Sequence, residues 1–171
     1  MAGCMPLPVP NSTLTAHEYI GLHEYRQRQE LTELLEVDPV RTEWCAAFVN
    51  AILELDDIPN LHDIESTAPL MARSFLSWGI PVEPENIKRG DVVIFPRGNQ
   101  GWQGHVGFYL RTEEINGIAY YWILGGNQRN KVSVVRYKQS SVLGIRRSQI
   151  LVDNRDKMSY NNRVLGNLLR R

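Results

Sequence analysis

Three residues of this chain have the side-chain types and the surroundings that nucleophilic hydrolysis requires. Cys45 begins a stretch with helical spacing of apolar residues, His105 opens an apolar run, and Asn127 follows a glycine pair. A cysteine becomes a nucleophile when its thiolate is favoured and a base lies beside it. A neutral imidazole can take the thiol proton and return it to a leaving amine, and an asparagine carbonyl can orient that imidazole. The three residues are therefore candidates for a catalytic Cys–His–Asn set.

Cys45 is predicted to lie at the N-terminus of a helix that starts at residue 43 or 44 and ends at Leu55. We expect the positive end of the helix dipole to favour the thiolate and so to lower the pKa of Cys45. The unpaired backbone amides of the same helical turn are suited to holding an oxyanion. A single cysteine in this position also fits an ordinary buried apolar side chain, so its assignment depends on its neighbours.

His105 is a suitable neighbour because of where it lies in the sequence. It opens the apolar run 106–110 directly after the loop 98–104, which contains three glycines. If residues 105–111 and 118–124 pair as a hairpin, the end of the second strand lies near the start of the first. This pairing predicts that Asn127 lies beside the imidazole, with Gln128 as the nearest alternative.

Four further residues are predicted to contact the substrate or to shape the oxyanion site: Glu43, Trp44, Trp102 and Gln128. Glu43 could bind a substrate amine, but it is also the kind of carboxylate that a helix dipole favours in a first turn. Trp102 lies in a loop rich in glycine and glutamine beside His105, where an indole is suited to forming a cleft wall. The alternative for the tryptophans is an ordinary place in the core.

The elements that must position these residues fall into two halves. Before residue 80 the apolar residues recur at helical spacing, and after it they follow a period of two. The first half predicts helices over residues 15–36, 43–55 and 66–78, with Thr15 and Glu18 as a capping box for the first. Gly21 and the polar run 26–30 leave open a break of the first stretch into two helices. The second half predicts strands over residues 91–95, 105–111, 118–124, 131–137 and 143–147. Because the links between these strands are short, we expect an antiparallel sheet and an α+β fold.

Length and charge predict how the chain is divided. A chain of 171 residues is long enough for one domain, and we divide it into an extended lead-in (1–14), a catalytic domain (15–148) and a basic C-terminal tail (149–171). The net charge is zero, but residues 1–128 carry 8 basic and 17 acidic side chains, whereas residues 129–171 carry 11 and 2. The two halves either attract each other within the fold or leave a basic C-terminal part for an anionic partner.

Several classes of protein are disfavoured by the sequence. It contains no run of 18 apolar residues and no standard secretory signal, which predicts a protein without a membrane span that reaches its target by release or delivery. Two cysteines, Cys4 and Cys45, do not predict a disulfide framework. No Cys-x-x-Cys pair, His-Glu-x-x-His motif or phosphate-binding glycine loop is present, so we expect neither a metal nor a cofactor.

Four blocks occur in a defined order: Trp-Cys-Ala-Ala-Phe-Val at 44–49, Gly-Asp-Val-Val-Ile-Phe at 90–95, Gly-His-Val-Gly-Phe-Tyr at 104–109, and Leu-Gly-Gly-Asn-Gln at 124–128. In this order they resemble the CHAP/NlpC-type papain-like cysteine peptidases, and in particular a phage and bacterial subgroup of peptidoglycan hydrolases. The resemblance covers residues 15–148. It implies a papain-like fold in which N-terminal helices pack on a roughly five-stranded antiparallel sheet.

The same resemblance implies roles for the candidate residues: Cys45 as nucleophile, His105 as base and Asn127 as the third polar residue. It implies peptidoglycan stem or cross-bridge peptides as substrate, reached during phage lysis or after delivery by a virion or a secretion system. Cleavage within the peptide and cleavage at the amide that joins peptide to sugar both stay open. Two other readings also stay open, a non-catalytic binding module or phage structural component on the same fold, and cleavage of intracellular proteins.

Overall fold

The computed structural model describes residues 11–65 and 67–150 and has an α+β fold. Its strands are β1 (Ile80–Pro81), β2 (Val92–Pro96), β3 (Gly104–Ile115), β4 (Ile118–Gly125), β5 (Ser133–Lys138) and β6 (Gly144–Arg147). They form one antiparallel sheet in the order β1-β6-β2-β3-β4-β5. The α+β class and the antiparallel sheet are confirmed, and the number of strands is six because β1 adds a short edge strand. The predicted lead-in (1–14) and basic tail (149–171) lie mostly outside the described residues.

The hairpin of β3 and β4 positions the candidate site. Its two-residue turn is Asn116-Gly117, with φ of 50° and 74°, the left-handed backbone that a type I′ turn requires. From this turn the strands pair back to Phe108 opposite Leu124. The turn that follows β4 therefore lies near the start of β3, which is the arrangement expected from the sequence.

The sheet is buried on both faces at its centre. Along β2, Val92 and Ile94 belong to the apolar cluster that contains the helices, whereas Val93 and Phe95 belong to a second cluster on the opposite face. Successive side chains of a strand point to opposite faces. Burial on both faces explains why β2 reads as a continuous apolar run rather than as an alternating one.

Three α-helices precede the sheet: α1 (Ser12–His17), α2 (Arg28–Leu35) and α3 (Cys45–Leu55). The third agrees with the predicted helix over residues 43–55, and most of its residues are buried. Its 11 residues make it the longest helix in the part of the chain that the structure describes. Within that part, no helix combines the length and the apolar composition that a bilayer crossing needs.

As one continuous helix the prediction over residues 15–36 is wrong, and its alternative, a break into two helices near Gly21, is correct, because α1 and α2 are separate. Gly21 adopts φ of 99° between them, and its amide donates to the carbonyl of Val132 at 2.9 Å. The amide of Val132 in turn donates to the carbonyl of Leu22 at 3.0 Å. The Thr15–Glu18 capping box is also wrong, since the N-cap of α1 is Asn11. Long-range pairing with the segment before β5 thus replaces the middle of the expected helix.

The predicted helix over residues 66–78 is also wrong. Only residues 72–77 are helical, as a 3-10 segment, and Ser66 lies outside the described residues. The carbonyl of Pro69 accepts a hydrogen bond from Asn50 Nδ2 at 2.8 Å, and Trp78 Nε1 donates to the carbonyl of Pro59 at 2.8 Å. Hydrogen bonds between side chains and distant backbone carbonyls therefore hold this segment in place of an α-helical ladder.

A buried ion pair joins the acidic and basic parts of the chain. Arg147, on β6, donates to both carboxylate oxygens of Asp91 at 2.6 Å, and the side chain of Asp91 is 3% exposed. Such a two-point contact is the strongest geometry for an arginine and a carboxylate. At this point the two halves attract each other within the fold, as one of the two readings of the charge asymmetry predicted.

Close packing of α3 on the sheet depends on the absence of a side chain at Gly126. A Cβ at this position would lie 2.6 Å from the Cβ of Phe48 and 2.6 Å from the ring of Trp44. We expect Gly126→Ala to lower the free energy of unfolding by about 1–3 kcal/mol, because overpacking forces neighbours out of their rotamers. Urea denaturation measures this change. Gly101→Ala is the matched control, since a Cβ there meets nothing within 4 Å; equal losses in both variants would contradict the prediction.

Candidate active site

Cys45 is the first residue of α3 and is a buried free thiol. The residue before it, Trp44, occupies the N-cap but makes no side-chain capping bond to the helix. Its indole Nε1 instead donates to Glu24 Oε2 at 2.9 Å, and both side chains are buried. Trp44 thus anchors the start of α3 and leaves the first-turn amides without a side-chain cap. The position of Cys45 at a helix N-terminus agrees with the sequence analysis.

The expected lowering of the Cys45 pKa is wrong. Burial raises the pKa of the thiol, because a thiolate loses hydration inside the protein. The backbone amide of Val106, the guanidinium of Arg97 and the amide of Ala46 favour the thiolate and offset only part of that cost. In the resting protein the thiol is therefore neutral at neutral pH, and its ionisation requires a base.

The imidazole of His105 lies on the strand that contacts this thiol. His105 is the second residue of β3 and is 3% exposed, and Val106, whose amide contacts the Cys45 sulfur, directly follows it. The imidazole stacks on the ring of Tyr137 with 5.3 Å between centroids. Its Nε2 lies 3.0 Å from Gln128 Oε1. The Cys45 thiol, at the start of α3, therefore lies against the backbone of β3, the strand that carries His105.

The contacts of Gln128 fix which ring nitrogen of His105 carries the proton. Gln128 Nε2 donates to the carbonyls of Ile123 at 3.3 Å and Gly125 at 3.4 Å, and also to that of Ser133. The amide is therefore oriented with Oε1 toward His105, and Oε1 also accepts from the hydroxyl of Tyr137 at 3.0 Å. An amide oxygen only accepts. Nε2 must then be the protonated nitrogen, which leaves the lone pair on Nδ1.

His105 Nδ1 is the atom suited to act as a base. It is buried and has no hydrogen-bond partner in the part of the chain that the structure describes. Burial lowers the pKa of His105 to about 4; the bond to Gln128 opposes this shift and the charge of Arg97 adds to it. The imidazole is therefore neutral at neutral pH, with a free lone pair on Nδ1 that can accept a proton.

Asn127 does not occupy the place that the sequence predicted for it. Its Nδ2 donates to Glu43 Oε2 at 2.7 Å, and Gln128 takes the position beside the imidazole. The reason lies in the turn, where Asn127 has φ of 54° and the side chain of Gln128 folds back over Gly125. A Cβ on Gly125 would lie 3.4 Å from Gln128 Cδ. This is an ordinary van der Waals distance, so the sequence carried no clear signal for the choice of Gln128 over Asn127.

The other residues predicted to contact substrate lie either at the cleft beside Cys45 or in the hydrophobic core. Glu43 is 78% exposed and lies at the rim, where it also faces Arg97 Nη1 at 3.5 Å. Trp102 is 62% exposed and lines the cleft beside Cys45, as expected for a cleft wall. Trp44 is fully buried, so the prediction that it contacts substrate is wrong. Its alternative as a core residue is correct, and it acts on the site only through α3.

Two neighbouring clefts meet at Arg97, a residue that the sequence analysis did not identify. The first has a volume of about 370 Å³ and contains Cys45, and the second has a volume of about 230 Å³ and contains His105. Arg97 lines both. It follows Pro96, the last residue of β2, which pairs with Gly104 at the start of β3. The sequence signal for Arg97 was a basic residue at the end of the strand that pairs with the start of the His105 strand.

Within residues 11–65 and 67–150 no cluster of three histidine, cysteine or acidic side chains is arranged to hold a metal ion. Neither a scan against protein-family models nor a search of curated proteins gave a match for this chain. The resemblance to CHAP/NlpC-type peptidases therefore stays a prediction from the sequence. The chemistry of the site has to be argued from the geometry of its own residues.

Proposed function

We propose that this protein is a cysteine hydrolase that cleaves a peptide or amide bond through an acyl-enzyme. His105 Nδ1 takes the proton of the Cys45 thiol as sulfur forms a bond to the carbonyl carbon. The C–N bond then breaks, and the imidazolium gives its proton to the departing amine. Water next attacks the thioester and loses its proton to Nδ1. The C–S bond breaks, and the thiol regains that proton.

One observation carries this proposal. The buried imidazole of His105 has a fixed tautomer and an unpartnered Nδ1, and it belongs to the strand whose backbone contacts the buried thiol of Cys45. A structural histidine in a core ordinarily has both nitrogens satisfied. The neutral thiol and the neutral base need no stable ion pair before substrate arrives. The first-turn amides of α3 are suited to stabilising the oxyanion that forms on attack.

We propose peptidoglycan stem or cross-bridge peptide as the substrate, on the strength of the four sequence blocks and of a helix that begins at Cys45 and packs on an antiparallel sheet. The first cleft fits an extended peptide, since Trp102, Leu70 and Met71 give it an apolar wall beside the nucleophile. Cleavage within the peptide and at the sugar–peptide amide are both included. The protein would meet the wall during phage lysis or after delivery by a virion or a secretion system, and its basic C-terminal part would favour an anionic polymer.

A second function is favoured by the raised pKa of Cys45. A thiol that stays protonated fits a peptide-binding or wall-binding module that has the same fold and no activity. In that case the clefts would hold a peptide without cleaving it. The same experiment separates the two functions.

The test is a digest of purified peptidoglycan of several chemotypes, with products identified by mass spectrometry. We expect the wild-type protein to release fragments, and Cys45→Ala to release none above background, because the nucleophile is lost. Cys4→Ala is the matched control and should keep full activity. Fragments in equal yield from Cys45→Ala, or none from a folded wild-type protein, would contradict the proposal; retention of the protein on the wall without products would favour the binding module.

A further inference from the structure

The two clefts that meet at Arg97 differ in polarity. Besides Arg97, the cleft around Cys45 is lined by one charged residue, Glu43, and by the apolar side chains of Leu70, Met71, Ala72 and Trp102. The cleft around His105 is lined by two cations, Arg97 and Arg129, and by no carboxylate. In the part of the chain that the structure describes, no carboxylate forms an ion pair with Arg129. The His105 cleft is therefore suited to an anion.

The guanidinium of Arg97 is only loosely held in the resting protein. Nη1 lies 3.5 Å from Glu43 Oε2, and Nη2 donates to the carbonyl of Asn127 at 3.4 Å. The side chains of Arg97 and Glu43 are 43% and 78% exposed, and such exposed pairs contribute little stability. The buried Arg147–Asp91 pair at 2.6 Å shows what a firm contact in this protein looks like. Arg97 thus has donors to offer to a ligand.

The chemistry proposed above assigns the two clefts to the two sides of the scissile bond. The acyl group must lie beside Cys45, which forms a bond to it, and the amine must lie beside His105, which protonates it. Because Arg97 and Arg129 line the amine side, a negative charge there is attracted to both. A guanidinium binds a carboxylate through two parallel hydrogen bonds.

We propose that the substrate carries a free carboxylate on the residue that supplies the leaving amine, and that Arg97, assisted by Arg129, binds it. This inference rests on the proposed hydrolase function and specifies the substrate of that same site. Binding would exchange the loose contact with Glu43 for a bidentate contact with substrate. The acyl side needs no charge, since its wall is mostly apolar.

The experiment compares native peptidoglycan with peptidoglycan whose free carboxylates have been partly converted to carboxamides by a water-soluble carbodiimide and ammonium chloride. After one digest of the partly amidated wall, mass spectrometry identifies the product residues whose amino group was freed by cleavage. We expect the ratio of carboxylate to carboxamide on those residues to be at least about 10-fold higher than in the undigested wall. Residues on the acyl side of the cleaved bond should show no such enrichment. The expected size follows from the loss of charge-assisted hydrogen bonds.

Arg97→Gln should lose this preference and should cleave native wall about 10- to 100-fold more slowly, mainly through a higher KM. On fully amidated wall, where no carboxylate is left to bind, the ratio of the wild-type rate to the Arg97→Gln rate should be smaller than on native wall. Arg111→Gln is the matched control, because Arg111 lies over the ring of Trp122 and lines neither cleft.

The failures of the two proposals are distinguishable. A wild-type protein that cleaves without preference for the carboxylate, or an Arg97→Gln variant that keeps the preference, overturns this inference and leaves the hydrolase proposal intact. A folded wild-type protein that cleaves neither wall overturns the hydrolase proposal, and the inference falls with it.

Discussion

Replacing Gln128 by methionine is expected to lower kcat for wall-peptide hydrolysis by about 10²- to 10³-fold, with little change in KM. Methionine has a similar volume but offers no amide oxygen to Nε2 of His105. Without that acceptor the imidazole can exchange tautomers and rotate, so Nδ1 would present a lone pair to Cys45 for only part of the time. The effect appears in kcat because the Gln128 amide is engaged by His105, Tyr137 and backbone carbonyls and acts on the reaction through the imidazole. Steady-state kinetics on a soluble wall fragment measures it.

Asn127→Ala is the matched control, since Asn127 contacts Glu43 and not the imidazole. We expect it to change kcat only a few-fold. An equal loss in the two variants would contradict the assignment of Gln128 as the residue that positions His105.

The Gln128 variant also removes three hydrogen bonds from the side-chain amide to backbone carbonyls, so its folding has to be checked by near-ultraviolet circular dichroism. Tyr137→Phe provides a milder test of the same assignment. It removes one hydrogen bond to Gln128 Oε1 and keeps the ring that stacks on His105. We expect a loss in kcat of about 10-fold, the scale of one hydrogen bond. Full activity in a folded Tyr137→Phe would weigh against a role for Oε1 in positioning.

The second large effect concerns stability and pH. We expect His105 to reduce the free energy of unfolding by about 3 kcal/mol as the pH falls from 6.5 to 4. Its pKa is about 4 in the folded protein and near 6.5 in the unfolded chain. Between these values the unfolded chain binds the proton and the folded protein does not, so acid favours unfolding. Above pH 6.5 both states are neutral, and the contribution to stability is complete.

Urea denaturation at a series of pH values measures this effect when it is compared with His105→Asn. The variant lacks the titrating ring, and subtraction of its curve removes the contribution of carboxylates common to both proteins. The difference between the curves should be flat above pH 6.5 and should change by about 3 kcal/mol toward pH 4. Parallel curves over this range would mean that His105 titrates normally in the folded protein, which would contradict its burial.

The parts of the structure that the sequence predicted well depend on local patterns. The helix that begins at Cys45 is apolar along its length, and the hairpin of β3 and β4 has an Asn116-Gly117 turn that selects its own geometry. These two patterns were enough to place the thiol and the imidazole strand on neighbouring elements.

The parts that failed depend on contacts between distant residues. The helical stretch over residues 15–36 breaks at Gly21, as the sequence allowed, but no local pattern reveals that Gly21 pairs with Val132. The choice between Asn127 and Gln128 depends on backbone angles in a turn, and the pKa of Cys45 depends on burial that a sequence does not display. The first-turn amide of Ala46 favours the thiolate, but desolvation is the larger effect on the pKa of Cys45.

The position of β5 at the edge of the sheet has a consequence for how the protein would lose activity. β5 has a neighbour on one side only, β4, and it carries Tyr137 and Ser133, which both contact the amide of Gln128. Edge strands open at a lower free energy than central strands. Fraying of β5 would release the amide and then the imidazole while α3 and the central strands stay folded. Inactivation by heat or denaturant would therefore precede global unfolding, and the catalytic set would behave as the least stable cooperative unit of the fold.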